Sequence, residues 1–384
     1  MYISTPQFPS LVPARIPEEV TARDEAIFWR ISSISLSPEQ EEQLCSPPDV
    51  YPRQREVLAV HWHPEFVPIR LAVKRMQAMF PNRQQELVIP TQHNALLAHH
   101  GYSGVEVDCY SRSFNQKVQL LLHFSEHKVP KAGVLQSMLE HTRQYRSSQL
   151  FDLMRTFTHP VQERLHAAVR ATGADPDLIR FVTLHVRKLE TLVQDNLQEL
   201  PVDVLKNKMV RNFFHALRPV FGHQLIDRAL NFLQEVKKEV KQGFPLQYFF
   251  RTSEIIEEAR GLGAGIVVPH PEQFWPILLA EYDVDGYEVW NPQSRRYTDF
   301  LIEVVMRKNR ERPASKRPLL IFMGDDTHMG EKIRDEQEAD PSKADREVGY
   351  QPAWDDCAVR KLLLQNTISR GAVISEYKAR LQEC

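Results

Sequence analysis

Two stretches of the chain carry short apolar runs separated by polar breaks, and the stretch between them changes period. The runs are VLAVHWH (57–63), ELVIPTQH (86–93), GVEVDCYS (104–111), KVQLLLHF (117–124), GIVVPHP (265–271), GYEVWNP (286–292) and PLLIFMGDDTH (318–328). Their length and bounding turn residues predict seven buried strands. From 131 to 258 the spacing becomes helical: Val182, Val186, Leu189, Val193, Leu197 and Leu200 recur at steps of three and four, as one face of an amphipathic helix requires. Phe213, Phe214, Leu217, Phe221, Leu225, Leu230, Leu233, Val236 and Val240 continue this pattern, with a break or kink at Pro219.

This pattern predicts an α/β fold with a helical insertion, 131–258, after the fourth strand. The strand-bearing body is then discontinuous, 56–130 and 259–330. Residues 1–55 are rich in proline, with one helical stretch near Glu25–Arg30, and read as an arm wrapping the body. Residues 331–384 read as a charged, solvated loop up to 350 and a closing helix from about Asp356 to Glu383. If the insertion leaves the body near the site, it caps the pocket and selects substrate.

Composition narrows the function classes. At 384 residues with 42% hydrophobic content, the chain can fill more than one core. A net charge of −2 argues for neither a basic stripe of the kind long nucleic acid needs nor an acidic tail. The four cysteines (Cys45, Cys109, Cys357, Cys384) form no C-x-x-C pair, so neither a zinc ribbon nor a redox motif is supported. No run approaches a membrane span and the first residues carry no leader pattern, so the expected setting is soluble and cytoplasmic.

The histidines change the picture. His61 and His63 close the first strand; alternation sends residues i and i+2 to the same face, so both imidazoles point one way. His93 ends the second strand, His123 the fourth and His270 the fifth, while His328 follows the seventh. Glu106 lies within the third strand, and Asp326 lies two residues before His328. A parallel barrel gathers the C-terminal ends of its strands on one rim. Imidazoles and carboxylates collected there are what a multinuclear metal site requires, since imidazole suits Zn, Mn or Fe and a carboxylate can bridge two ions. The other nine histidines fall in loops or in the helical segment.

These pieces, in this order, resemble the PHP (polymerase and histidinol phosphatase) family of metal-dependent phosphoesterases. "HWH" is similar to that family's H-x-H and "TQHN" (91–94) to its T-D-H-N. "SGVEVDCYSRSFNQKVQLLLHF" (103–124) resembles P-G-x-E followed by a strand ending in histidine. "VVPHPEQF" resembles A-H-P, "DGYEVWNP" resembles G-I-E-V-x-N, and "GDDTH" (324–328) resembles G-S-D-x-H. The likeness covers about 56–130 and 262–330 and implies a distorted (β/α)7 barrel. It implies two or three divalent ions of Mn, Fe or Zn. His61, His63, Glu106 and Asp326 would hold one ion, and Glu106 would bridge to a second on His123 and His270. A third would take His93 and His328. Glu106, His270 and Asp326 would carry the chemistry. The sequence departs from the family where another His or Asp is usual past the H-x-H: Ile69 and Arg70 stand there, which leaves Glu65 as the possible third-ion ligand. Ala59 and Gln92 replace two aspartates of the motifs.

Such a site implies hydrolysis of a small phosphorylated substrate, a phosphomonoester or nucleotide, by a metal-activated water. Arg295 and Arg296 in "WNPQSRRY" would meet the phosphate, because guanidinium matches phosphate oxygens in pairs. The alternatives are a non-catalytic PHP-like metal-binding module and an amidohydrolase-type hydrolase. An amidohydrolase also opens on H-x-H, but typically ends on a lone aspartate of an eighth strand. The substrate itself and the oligomeric state are not encoded in any motif.

Overall fold

A computed structural model describes residues 11–13, 15–334 and 341–383 as a mixed α/β protein with ten strands among the described residues. These are β1 Glu56–Ala59, β2 Trp62–His63, β3 Gln85–Val88, β4 Leu97–His99, β5 Tyr102–Ser111, β6 Gln116–Ser125, β7 Gly265–Val268, β8 Gly286–Trp290, β9 Leu320–Met323 and β10 Thr327–His328. Each of the seven expected runs contains a strand. Two of the runs are interrupted: β1 and β2 share one, β9 and β10 another. Leu97–His99 is a strand that its sequence, with only Leu96 and Leu97 between two alanines, did not announce.

β1 pairs parallel with β3, and β2 with β10. The remaining six form one sheet in the order β4-β5-β6-β7-β8-β9. Further bonds join these sheets: His93 bridges to Glu106 in parallel, Thr91 N donates to Trp62 O at 2.9 Å, and Asp326 N donates to His61 O at 2.9 Å. The expectation of uniformly parallel strands is corrected here. β5 and β6 form an antiparallel hairpin, and β6 is antiparallel to β7 as well. The short connection between the two strands, Arg112–Phe114 followed by Asn115 in a left-handed conformation, allows only a reversal; a parallel crossover needs a dozen residues or more.

The chain divides into two compact units, 36–143 with 246–384 and 1–35 with 144–245. The first unit contains all the strands. Its core joins Val105, Val107, Leu120, Leu122, Ile266, Val289 and Phe322 to helices including Thr298–Glu311 and Arg370–Gln382. A second apolar cluster, including Trp62, Leu71, Met76 and Phe80, packs behind β1. Gly265 gives close passage to the Arg370–Gln382 helix, since a Cβ there would strike the Tyr377 hydroxyl and Leu381.

The other unit is helical. Pro176–Asp195 and His223–Gln242 bury the apolar faces read from their spacing, around Phe181, Val186, Phe214 and Phe232. The kink at Pro219 is a separate turn of helix, Arg218–Phe221, ended by Gly222 at positive φ. Residues of the N-terminal segment belong to this unit: Ile27 and Phe28 lie in its core, and Asp24 accepts from Lys188 at 2.9 Å, both buried. A second early helix, Pro38–Cys45, has the capping box Ser37–Gln40 with Pro38 at its first position, a readable start signal.

Two expectations for the C-terminal region change. The closing helix is two, Cys357–Leu364 and Arg370–Gln382, separated at Thr367 by positive φ. The loop expected to be solvated is, from 346 to 349, buried; residues 335–340 lie outside the described residues.

Candidate metal centre

Seven of the expected ligands converge. Three groups have donor atoms all within 4.8 Å of one another: His61 with Glu106 and His270; His61 with His63 and Asp326; and His63 with His93 and His328. The strand period places His61 and His63 together, with their rings 5.4 Å apart. The parallel bridge to Glu106 carries His93 alongside, so that the His93 ring stacks on His63 at 4.4 Å. Register between β10 and β2 sets His328 directly opposite His63, with ring centroids 4.5 Å apart.

The geometry is one that could hold ions. His63 Nε2 stands 3.4 Å from Asp326 Oδ1 and 3.6 Å from Glu106 Oε2; His61 Nε2 stands 3.6 Å from Asp326 Oδ1 and 3.8 Å from Glu106 Oε1. These separations are too long for hydrogen bonds between such groups. Two donor atoms each about 2.0–2.1 Å from one tetrahedral ion stand roughly 3.3–3.4 Å apart. His61 Nε2, His270 Nδ1 and both ring nitrogens of His63 are buried and have no hydrogen-bond partner. Unpaired buried polar atoms are costly, and several in one place mark a site built for something else to bind.

Electrostatics agree. Burial alone would lower the pKa of His61, but Glu288, Asp326 and Glu106 outweigh it and raise it to about 10. The carboxylates thus call for positive charge. Burial, with His93 and His328 beside it, pushes His63 down to about 3, which keeps the ring neutral with one nitrogen lone pair available. Burial opposes ionisation of Glu106 and Asp326 too, but their imidazole neighbours hold both well below the usual carboxylate range. Backbone strain collects here as well: Glu65, His270 and Asp326 have φ of 56°, 27° and 46°. Non-glycine residues adopt such conformations at a cost, and functional sites are where that cost is commonly held.

His123 is not among the converging residues. Its Nε2 donates to Val60 O at 2.9 Å and its Nδ1 accepts from Tyr377 OH at 2.7 Å, so neither nitrogen is left for a metal. The reason is the reversed strand. His123 pairs with Gly104 near the start of β5 and with Gly265 at the start of β7, so the end of β6 lies at the beginning of its neighbours.

Glu65 belongs to none of the three groups. Its Oε1 lies 3.4 Å from His328 Nδ1, behind the ring relative to Asp326, and Gln92 Oε1 accepts from its backbone N at 3.0 Å. Arg295 and Arg296 are exposed and line a cavity with Arg53, Arg55, Trp354 and Arg370, to which none of the converging ligands contributes. Arg296 instead lies over the Tyr297 ring, 4.6 Å from its centroid.

Four further residues support the site, and sequence reasoning passed over them. Glu288 accepts from His61 Nδ1 at 2.7 Å and from His270 N at 3.0 Å, which aims His61 Nε2 at the other carboxylates. Its position in "GYEVWNP", an acid inside an otherwise apolar strand, was a visible signal. Arg346 donates to Asp326 Oδ2 and, at 3.0 Å, to Asp326 O. Lys343 Nζ donates to His328 Nε2 at 2.9 Å. Asp325 accepts from Gly349 N at 2.9 Å, and burial raises its pKa to about 7. Nothing in the spacing of a charged segment connected 343–349 to these strands.

No family model matches the chain, and no curated protein does. Among solved structures, it is similar to a chain described as a "putative metal-dependent phosphoesterase" from Bifidobacterium adolescentis. The identity is 16%, covering 84% of this chain and 98% of the other, with a TM-score of 0.43. No helix among the described residues is long and apolar enough to cross a membrane.

Proposed function

We propose that this protein is a metal-dependent phosphoesterase of the PHP type, acting on a small phosphomonoester or nucleotide. The observation that carries the reading is the set of partnerless, buried imidazole nitrogens on His61 and His63, facing Glu106 and Asp326 at 3.4 to 3.8 Å, with His270 Nε2 3.4 Å from Glu106 Oε1 beside them. His61, His63, Glu106 and Asp326 would hold one divalent ion, and Glu106 with His270 a second. Such ions lower the pKa of water towards neutrality and offset charge on phosphoryl oxygens. We read the joined strand pairings as a distorted (β/α)7 barrel that presents these residues on one rim, with 131–258 as its insertion.

The chain's own residues do the remaining work. Glu288 fixes the tautomer and direction of His61, the arrangement by which an outer carboxylate orients a metal-binding imidazole. Arg346 occupies Asp326 Oδ2 and so presents Oδ1 to His61 and His63. Arg346 Nη2 is buried without a hydrogen-bond partner, a donor suited to a phosphoryl oxygen. That role replaces the one expected of Arg295 and Arg296.

Metal analysis of untagged protein after supplementation with Mn, Fe and Zn, run beside a panel of phosphomonoesters and nucleotides, tests the proposal. Bound transition metal and turnover of a phosphoester support it. Less than about one ion per chain removes it. Metal with turnover only of amides points to the amidohydrolase chemistry, and metal without any turnover to a binding module.

A further inference from the structure

The three-histidine group of His63, His93 and His328 is the position where a third ion would bind. His328 turns its Nε2 towards the rest of the centre, 3.5 Å from Asp326 Oδ1, while Nδ1 faces Glu65 Oε1 at 3.4 Å. That same Nε2 is 2.9 Å from Lys343 Nζ. A lysine ammonium has donors only, so the imidazole nitrogen must accept, and it has a single in-plane lone pair with which to do so. An ion coordinated by His328 Nε2 and the hydrogen bond from Lys343 are therefore mutually exclusive.

The backbone that delivers Lys343 is tied down on both sides. Lys332 Nζ donates to Ala344 O at 2.7 Å and to Glu347 Oε1 at 2.7 Å, and Glu347 also accepts both arms of Arg75, at 2.6 and 2.7 Å. Arg346 Nε donates to Ser342 O at 2.8 Å while its Nη1 holds Asp326. Gly349 N is bonded to Asp325, the neighbour of a ligand. Lys343 is half-buried in the same short segment. Two cationic side chains thus reach the centre from one anchored strap.

We infer that the Lys343 ammonium takes the place of a third metal ion, so that the working centre holds two ions and a built-in cation. The inference rests on the metal-centre reading above. It fits the departure from the resembled pattern past the H-x-H: with Ile69 and Arg70 there, no further His or Asp joins the three-histidine group among the described residues, and the lysine supplies positive charge without needing a coordination shell. In this arrangement Glu65 orients His328 from behind instead of holding an ion.

Titration of the metal-free protein with Mn, followed by elemental analysis at each step, tests this in native protein, Lys343→Met and Lys343→Arg. The native protein should saturate at about two ions per chain, with the third position unfilled. Lys343→Met should take up a third ion at least about tenfold more tightly than native protein, while the first two ions bind as before. Lys343→Arg should behave as native. Equal third-ion binding by native and Lys343→Met proteins would overturn the inference, as would loss of the first two ions from Lys343→Met. If native and variant proteins alike retain less than about one ion, the metal-centre reading itself fails, a result distinct from either of these.

Discussion

His61 Nδ1 and Glu288 Oε1 lie 2.7 Å apart, both fully buried, across a sequence separation of 227 residues. The carboxylate can only accept, so His61 Nδ1 carries a proton, and Nε2 is the nitrogen that faces Glu106 and Asp326 and gains a free lone pair once an ion displaces its own proton. Glu288→Gln keeps the volume but removes the charge that fixes this tautomer. Metal affinity, measured by competition with a chelator, should fall roughly tenfold to a hundredfold. Gly324→Ala should act in the same direction, because a Cβ at Gly324 would collide with the Glu288 carboxylate. Unchanged affinity in both variants would show that Glu288 has no part in orienting the ligand.

Glu106 faces His61, His63, His93 and His270 at once. Glu106→Gln should therefore lose ions and phosphoester turnover together. Glu163→Gln, on the exposed surface of the helical unit, is the matched control and should keep both. Elemental analysis and a turnover assay on the same preparations separate the cases. Retention of full metal content by Glu106→Gln would count against a bridging role.

His123 should prove to be a packing residue. His123→Gln leaves the buried Tyr377 hydroxyl and Val60 carbonyl with poorer partners, so stability to denaturant should fall by about 1–3 kcal/mol. Metal content of the folded protein should stay at the native level. A variant that is as stable as native but has lost an ion would restore His123 as a ligand.

His185 gives a pH dependence separable from the metal centre. It is buried among Phe181, Phe214 and Phe221, and its Nδ1 donates to Phe181 O at 2.9 Å. Burial lowers its pKa to about 4 in the folded protein, against about 6.5 for an unfolded chain. Between those values the unfolded state binds the extra proton, so stability is fully present above about pH 6.5 and is lost as pH falls towards 4. In His185→Phe, the slope of unfolding free energy against pH across that window should be shallower by up to about one proton. Parallel slopes for the two proteins would mean that His185 does not titrate differently on folding.

Local pattern was enough for most of the elements and for most of the side chains that converge. Period-two alternation put His61 and His63 on one face before any tertiary contact was considered, and steps of three and four along Val182–Leu200 marked a helical face that the fold buries. These periodicities belong to the backbone geometry of one strand or helix, so a linear sequence carries them intact. Strand direction is different, because it depends on how the chain returns. β6 runs against both its neighbours, and the rule that strand ends gather on one rim failed for His123 for that reason. Partners distant along the chain were equally beyond the pattern. Glu288 orients His61, Arg346 holds Asp326 and Lys343 engages His328 only because register and loop path bring them together. Sequence determined which side chains could bind metal; the tertiary structure decided which lone pairs are left to do it, since a nitrogen already engaged in a hydrogen bond cannot also coordinate an ion.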